Sequence, residues 1–294
     1  MEKDEIRKLR SEGFTPLKTK GYFRIRIISK AGKMTAEDMK YICYISEKYG
    51  KGYMSFTTRL CVEIPWIKYE DIDSIKADIN KFNLLLLKSG QNLRPVVTCK
   101  GAICGNGIID AEDIGNKIFD KYKDYKLPGR FKIGIVGCPN NCLQVQSEDF
   151  GIVGQRVPKV IEGKCRNCGL CIKNCRKNAI SIENSKPIID NLKCINCGKC
   201  IEGCKFGGIV EKDIGVSIYL GGKLIELQNR EGVASSIFSL EEMELFLKHT
   251  MDFYNKYGKT KEKFKVMLSR LGTERCIESI VKMTRRNISK SYFF

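Results

Sequence analysis

Residues 165–175 read CRNCGLCIKNC, and residues 194–204 repeat the same cysteine spacing as CINCGKCIEGC. Each run has the pattern C-x2-C-x2-C-x3-C, which is typical of four-iron cluster ligation. When two such runs occur together, each cluster takes three cysteines from one run and the fourth from the other. The repeat therefore predicts two clusters, the first held by Cys165, Cys168, Cys171 and Cys204 and the second by Cys194, Cys197, Cys200 and Cys175.

The two runs resemble the bacterial two-cluster ferredoxins over residues 160–210. The proline that usually follows each fourth cysteine is replaced by Arg176 and Lys205. This departure bears on the cluster potentials, because local charge, hydrogen bonds and solvent access set them. A zinc ribbon is the alternative, but it uses only C-x2-C pairs and leaves the third and fourth cysteines of each run unexplained. We therefore interpret the segment as a ferredoxin module.

Two further cysteine pairs lie upstream, in loops rich in Gly, Pro and Asn. Cys99 and Cys104 lie in TCKGAICGNG, and Cys138 and Cys142 lie in GCPNNC. Such loops let the backbone curl around an inorganic cluster and direct N–H groups at its sulfurs. The four thiolates therefore predict a third four-iron cluster, and four unligated buried thiols are the alternative.

The composition limits the function further. Among the 294 residues there are 15 cysteines and one histidine, so thiolates are the main available metal ligands. We expect a cytoplasmic protein without a membrane span, because the cysteine usage suits a reducing compartment and no apolar signal segment or spanning segment stands out. The formal net charge of +18 indicates either nucleic-acid binding or a load of anionic cofactors. We favour the cofactors and expect no nucleic-acid partner.

At the third cysteine set the chain resembles the siroheme sulfite and nitrite reductases. Those enzymes hold a cluster with two spaced cysteine pairs, the second being C-x3-C, and the last thiolate also ligates the siroheme iron. By this resemblance Cys142 is the ligand that bridges cluster and siroheme. The first pair, C-x4-C, is one residue shorter than the C-x5-C of many family members. The similarity extends to MSFTTRLCVEIPWI, NLRPVVTC, LPGRFKIGIVG and YLGGKLIELQ and covers most of residues 10–270.

The resemblance also implies a group of cations on the substrate side of the siroheme. Matching residue by residue, this anion-binding, catalytic role falls to Arg59, Arg94, Arg130 and Lys132. The family often has Lys where Arg130 stands, and Arg favours bidentate contacts with oxyanions. A solvated surface charge is the alternative for each. Four other residues are predicted to be packing residues: Cys43, Cys61, Cys276 and His249.

The hydrophobic pattern predicts an α+β fold. The segments YFRIRIIS, TAEDMKYICYISEKYG, YMSFTTRLCVEI and YEDIDSIKADINKF indicate the order βαββα, a ferredoxin-like unit over residues 1–90. Residues 91–160 and 212–294 are expected to form an α/β siroheme and iron–sulfur domain, with KIGIV and DFGIVG as strands and three helices at its end. The two-cluster ferredoxin domain, residues 161–211, is predicted to be inserted in it.

This layout, one half with an inserted ferredoxin, looks most like the siroheme catalytic subunit of anaerobic sulfite reductases. The resemblance implies six-electron reduction of sulfite to sulfide, with siroheme and three 4Fe-4S clusters as cofactors. It also implies a homo- or hetero-oligomer that receives electrons from partner subunits or a ferredoxin. No G-x-G-x-x-G follows a strand, so flavin or NADH chemistry is expected on a partner. Two alternatives stay open: a siroheme nitrite reductase, and a non-catalytic iron–sulfur electron-transfer subunit.

Overall fold

The computed structural model describes residues 2–90, 93–225, 227–228, 234–235 and 237–291. Its helices are α1 (Lys3–Glu12), α2 (Ala36–Tyr49), α3 (Ile72–Lys81), α4 (Ala111–Tyr122), α5 (Leu170–Asn174), α6 (Lys199–Gly203), α7 (Leu240–Tyr257), α8 (Phe264–Leu271) and α9 (Thr273–Ser291). Its strands are β1 (Thr15–Pro16), β2 (Tyr22–Ile27), β3 (Ser55–Phe56), β4 (Val62–Lys68), β5 (Val97–Thr98), β6 (Ile133–Val136), β7 (Phe150–Val160), β8 (Ile180–Glu183), β9 (Lys186–Ile189), β10 (Ile209–Leu220), β11 (Lys223–Leu224), β12 (Leu227–Gln228) and β13 (Ala234–Ser235). Among the described residues, none of the helices combines the length and hydrophobicity that crossing a bilayer requires.

The chain divides into two compact units. The first comprises Met1–Thr98, Asp113–Ile133 and Tyr254–Met267, and the second comprises Cys99–Glu112, Gly134–Phe253 and Leu268–Phe294. The three-domain division drawn from the sequence stays a prediction.

The first unit is built on a four-stranded antiparallel sheet in the order β1-β2-β4-β3. Along β2, half-buried residues alternate with the fully buried Phe23, Ile25 and Ile27, which is the period of two that a pleated strand requires. Helix α2 begins at a capping box, in which the side chains of Thr35 and Asp38 each accept a backbone N–H from the other residue. The predicted βαββα order is confirmed as β2-α2-β3-β4-α3, and α1 and β1 precede it.

A tight turn separates β3 from β4 inside the segment YMSFTTRLCVEI. The backbone N–H of Thr57 donates to the carbonyl of Cys61 at 2.9 Å, and that of Leu60 donates to the carbonyl of Thr57 at 2.9 Å. Leu60 has a positive φ of 59°. Arg59 therefore lies in a turn that backbone hydrogen bonds constrain.

The second unit contains a long antiparallel pair, β7 and β10. Their register runs from Phe150 opposite Leu220 to Val160 opposite Ile209. Strand β6 lies beside β7, and β11 lies beside β10. The predicted strands KIGIV and DFGIVG are confirmed as β6 and β7, and the three predicted C-terminal helices are confirmed as α7, α8 and α9.

Residues 161–208 lie between the paired ends of β7 and β10. The chain leaves the sheet after Val160 and returns at Ile209, its register partner. In between it forms α5, α6 and the antiparallel hairpin β8-β9. Residues 161–208 therefore connect two paired antiparallel strands, as a turn does in a β-hairpin. That the segment is a two-cluster ferredoxin domain stays a prediction.

Candidate functional site

The structure brings together the cysteines predicted to hold the first ferredoxin cluster. Cys165, Cys168, Cys171 and Cys204 line one small cavity. Burial raises the pKa of the Cys171 thiol, and repulsion from Cys165 and Cys204 adds to the rise. The backbone N–H of Ile209 donates to Cys204 Sγ at 3.2 Å. Backbone donors of this kind stabilise a sulfur that carries negative charge.

The cysteines predicted for the second ferredoxin cluster line another cavity: Cys175, Cys194, Cys197 and Cys200. Burial raises the pKa of Cys200 to about 12, and neighbouring Cys194 and Cys197 contribute to the rise. The backbone N–H of Ala179 donates to Cys175 Sγ at 3.3 Å. Three cysteines of one run and the fourth of the other thus line each of these two cavities, and their assignment as cluster ligands stays a prediction.

The two cysteine runs have the same backbone shape for the same local reason. Asn167 and Asn196 have φ values of 54° and 52°, and Gly169 and Gly198 have φ values of 71° and 72°. Asn and Gly tolerate this left-handed region better than other residues. Each glycine is the N-cap of a short helix, α5 or α6, and the fourth cysteine of the run is the C-cap of that helix. The repeat in sequence is therefore a repeat in structure.

The cysteines of the upstream pairs also come together: Cys99, Cys104, Cys138 and Cys142. Cys138 is buried, which raises the pKa of its thiol, and the other three cysteines add to the rise. The backbone N–H of Gly137 donates to Cys99 Sγ at 3.1 Å. Cys142 and Cys104 are exposed.

Glycines allow the upstream loops to approach each other closely. A Cβ on Gly107 would lie 1.9 Å from the carbonyl oxygen of Gly101, and one on Gly137 would lie 2.8 Å from the Gly101 Cα. No other residue fits such contacts without movement of the backbone. In the CPNNC segment itself, Asn141 takes a positive φ of 49° and its side-chain oxygen accepts the N–H of Val145 at 3.0 Å.

Within the described part of the chain, no group of three or more His, Cys, Asp or Glu residues is arranged to hold a metal ion. Four-iron clusters place their thiolates at the corners of a cage, so the sulfurs need not converge on one point. The lack of such a group among the described residues applies to sites for one metal ion, such as a zinc ribbon, and not to four-iron clusters.

Arginines gather in the first unit. Burial and the neighbouring Arg130 and Arg59 lower the pKa of the Arg94 guanidinium to about 10, and Arg26 contributes as well. Arg94 is half-buried, and its side chain has no ion-pair or hydrogen-bond partner among the described residues. A desolvated cation among like charges is unfavourable unless an anion neutralises it. The Arg94 environment is thus suited to an anion.

Arg59 is held by the backbone around it. Its Nε and Nη2 donate to the carbonyl oxygen of Pro95 at 2.9 and 2.7 Å, and Nη2 also donates to that of Ile133 at 3.0 Å. These bonds fix the guanidinium in one position and tie three segments of the first unit together. Lys132 and Arg130 are exposed.

The sequence interpretation missed two residues and misjudged one. Arg26 approaches Arg94, but its Nε donates to Glu63 at 2.6 Å, so its charge is already paired. Arg156 contacts the loop of the second cysteine run. An arginine in a strand gives no sequence signal for a contact with a distant segment. Cys61 and Cys276 are buried as predicted, whereas Cys43 is exposed, because it lies on the outer face of α2, so its predicted packing role is wrong.

Comparison with known proteins identifies the class. The family model described as nitrite and sulphite reductase 4Fe-4S domain matches residues 89–287, and the nitrite/sulfite reductase ferredoxin-like half domain matches residues 15–82. The chain belongs to the nitrite and sulfite reductase family, and the family predicted from its motifs is confirmed.

Two of the curated relatives are named as sulfite reductases. The chain is 32% identical over 272 residues to the coenzyme F420-dependent sulfite reductase of Methanocaldococcus jannaschii, a match that covers 91% of this chain and 44% of that protein. It is 29% identical over 189 residues to a subunit of the anaerobic sulfite reductase of Salmonella typhimurium, which covers 58% of this chain and 56% of that protein. The crystal structure of dissimilatory sulfite reductase I shares the fold, with a TM-score of 0.67 at 20% identity over 88% of this chain and 69% of that one. This chain therefore spans about half the length of the two curated relatives.

Proposed function

We propose that this chain is the siroheme-binding catalytic subunit of a sulfite reductase and reduces sulfite to sulfide. The observation that carries the proposal is the Arg94 environment, a half-buried guanidinium without a partner among the described residues and close to Arg130 and Arg59. In a chain of the nitrite and sulfite reductase family, such a site suits an oxyanion substrate.

Twelve cysteines are the proposed cluster ligands. They form the sets already described: Cys99, Cys104, Cys138 and Cys142; Cys165, Cys168, Cys171 and Cys204; and Cys175, Cys194, Cys197 and Cys200. Each set fits a four-iron cluster because it supplies four thiols from short loops, and backbone N–H donors reach a sulfur in each. Cys142 is the proposed bridge to the siroheme iron, and its exposure suits that role.

When bound, siroheme and its coupled cluster would supply the electrons and the open iron position that sulfite needs. The residues of the chain supply charge and orientation. Arg94 and Arg130 neutralise the oxygens of the anion through charge-assisted hydrogen bonds. Lys132 donates protons as oxygen leaves as water. Arg59, held by two backbone carbonyls, keeps its positive charge in a fixed place.

Partners follow from the same proposal. Electrons come from partner subunits or a ferredoxin, and a flavin or NADH site, if one is used, lies on another chain. We propose that the chain works as part of an oligomer, because its Salmonella typhimurium relative is itself one subunit of a larger enzyme.

The test uses protein purified without oxygen from a host that makes siroheme. The pigment is extracted into acidified organic solvent, and its spectrum is recorded together with the iron content. We expect an isobacteriochlorin spectrum, about one pigment and thirteen irons per chain, and turnover of sulfite in preference to nitrite. A colourless extract with eight irons would identify an electron-transfer subunit instead. Faster turnover of nitrite would identify a nitrite reductase.

A further inference from the structure

The two predicted ferredoxin clusters have different surroundings. The cavity lined by Cys175, Cys194, Cys197 and Cys200 is also lined by Cys138, Pro139 and Asn140 of the CPNNC loop and its neighbour Asn106. The second cluster site therefore faces the upstream cysteine set of the same chain. The cavity lined by Cys165, Cys168, Cys171 and Cys204 is lined only by residues of the range 165–209. Cys168 is exposed, so the first cluster site is reached from solvent.

An excess of positive charge surrounds the first site. Residues 161–211 carry nine Lys and Arg and five Asp and Glu, so the segment has a net charge of +4. Most of its carboxylates already pair with cations, as Glu162 does with Lys186 and Asp190 with Lys193. Three exposed cations beside the first site make no ion pair or side-chain hydrogen bond among the described residues: Lys164, Arg166 and Lys205. Their charge is directed to solvent rather than neutralised within the chain.

The cations adjoin exposed hydrophobic surface. Phe206 follows Lys205 and is 52% exposed, and both Phe206 and Arg166 line the cavity of the first site. The stem of Lys164 lies against Gly207, since a Cβ there would be 3.9 Å from the Lys164 Cδ. An aromatic side chain with cations around it is the composition of a protein interface with a polar rim. We call Lys164, Arg166, Lys205 and Phe206 the basic face.

We propose that the basic face docks an acidic electron-carrier protein, which reduces the cluster held by Cys165, Cys168, Cys171 and Cys204. This inference rests on the cluster assignment of the proposed function. The carrier loses one electron and the cluster gains it, and no bond forms or breaks. Charge complementarity selects an acidic protein, because opposite surface potentials steer association and fix orientation. Phe206 provides the apolar contact that a free anion or a nucleic-acid backbone would leave unused.

The first experiment measures electron entry in the absence of sulfite. Holoprotein is mixed anaerobically in a stopped-flow instrument with a reduced acidic ferredoxin, and bleaching of the clusters is followed as ionic strength is raised. We expect the second-order rate constant to fall steeply with salt, because screening removes the attraction of exposed charges. A rate constant that does not change with salt would overturn the proposal.

The second experiment reverses the charge of the face. We expect K164E/R166E/K205E to bind the oxidised ferredoxin more weakly in calorimetry and to lower the rate constant of reduction by about tenfold or more at low salt. The matched control is K18E/K20E/K40E, three exposed lysines of the first unit with the same change in net charge. Equal weakening in both variants would show a general effect of net charge and overturn the proposal.

Two further probes separate the possible sources of failure. Reduced methyl viologen, a small cation, should reduce the clusters of the K164E/R166E/K205E variant at least as fast as those of the wild type. If the dye also reduces the K164E/R166E/K205E variant slowly, the neutral variant K164Q/R166Q/K205Q is used in its place. An unchanged rate of reduction of this neutral variant by ferredoxin would overturn the docking site. A reduced flavodoxin shows whether the acidic partner is an iron–sulfur or a flavin protein. Electron entry is measured without sulfite, so this experiment tests only the docking site. Normal electron entry together with no sulfite turnover in a separate assay would refute the proposed function and leave the docking site standing.

Discussion

Arg156 of strand β7 donates its backbone N–H to the carbonyl oxygen of Asn196 at 2.8 Å, which bonds the sheet directly to the loop of the second cysteine run. Its side chain extends the connection, with Nε 2.6 Å from Glu211 of β10 and Nη1 3.6 Å from Glu202 of α6. The loop that carries Cys197 is therefore anchored to a strand of the second unit by main chain and side chain together.

Gly198 is packed under this arginine, and we predict that Gly198→Ala destabilises the loop. A Cβ at Gly198 would lie 2.6 Å from the Arg156 Cδ, and the backbone has a positive φ of 72°. We expect a loss of about 1 to 3 kcal/mol, seen as a lower temperature for bleaching of cluster absorbance.

Gly169→Ala is the matched control for this substitution. Gly169 occupies the equivalent position of the first run with a φ of 71°, but a Cβ there would meet nothing within 4 Å. Its bleaching temperature should fall less than that of Gly198→Ala. Equal shifts would show that backbone strain alone decides the effect and that the Arg156 contact contributes nothing.

Arg59 stabilises the first unit through its fork of donors, so Arg59→Lys should be destabilising although it keeps the charge. Lysine cannot reproduce simultaneous bonds to the carbonyls of Pro95 and Ile133. We expect the free energy of unfolding in urea to fall by about 1 to 3 kcal/mol. Arg10→Lys, at an exposed position of α1, should have almost no effect. Similar values for the two variants would argue against the bridging role.

Cys142 should couple the third cluster to siroheme, and Cys142→Ser tests that role with little disturbance of packing, because the side chain is exposed. We expect an altered siroheme absorption and electron paramagnetic resonance spectrum and loss of sulfite turnover. Cys43→Ser is the control, since Cys43 is also exposed and lies outside every proposed ligand set. Identical spectra for wild type and Cys142→Ser would remove the bridging assignment.

Local features of the fold could be read from the sequence because their causes are local. The capping box at Thr35 and Asp38 and the alternation of β2 are set by residues a few positions apart, and both elements occur where predicted. The cysteine runs also owe their shape to local causes, because Asn167 and Gly169 adopt left-handed conformations, although the sequence analysis predicted only the ligand spacing. Short-range rules therefore sufficed for these helices and strands.

Contacts between distant segments could not be read in this way. Helices α2 and α3 separate Arg26 from Arg94 along the chain. Nothing in YFRIRI indicates that Arg26 approaches Arg94 or that Glu63 neutralises Arg26. Likewise, Arg156 pairs with Asn196 only because residues 161–208 return to the same strand pair. Register and side-chain direction decide such contacts, and both depend on the assembled sheet.

Arg94 should bind the substrate anion, and Arg94→Ala should raise the KM for sulfite by about tenfold or more, since charge-assisted hydrogen bonds are worth more than neutral ones. The pigment and iron content should stay unchanged. Arg94→Lys should recover part of the affinity, and Arg10→Ala should match the wild type. Spectral titration with sulfite measures binding directly. Loss of siroheme from Arg94→Ala would instead assign the residue to the cofactor or the fold.

His249 should make the stability of the second unit depend on pH. It is buried, its Nδ1 lies 3.0 Å from Thr284 Oγ1, and burial lowers its pKa from 6.5, with Lys248 adding to the effect. Below pH 6.5 the unfolded chain binds a proton that the folded chain excludes, so the free energy of unfolding falls as the pH drops through the window below 6.5.

His249→Gln isolates this contribution, because His249 is the only histidine in the sequence. Urea denaturation of wild type and variant between about pH 5 and 8 should show the wild type losing stability relative to the variant as the pH falls. Thr284→Val removes the hydrogen-bond partner and keeps the titrating ring, so it should retain the pH dependence of the wild type. A difference between wild type and His249→Gln that is constant across this range would contradict a buried, neutral histidine.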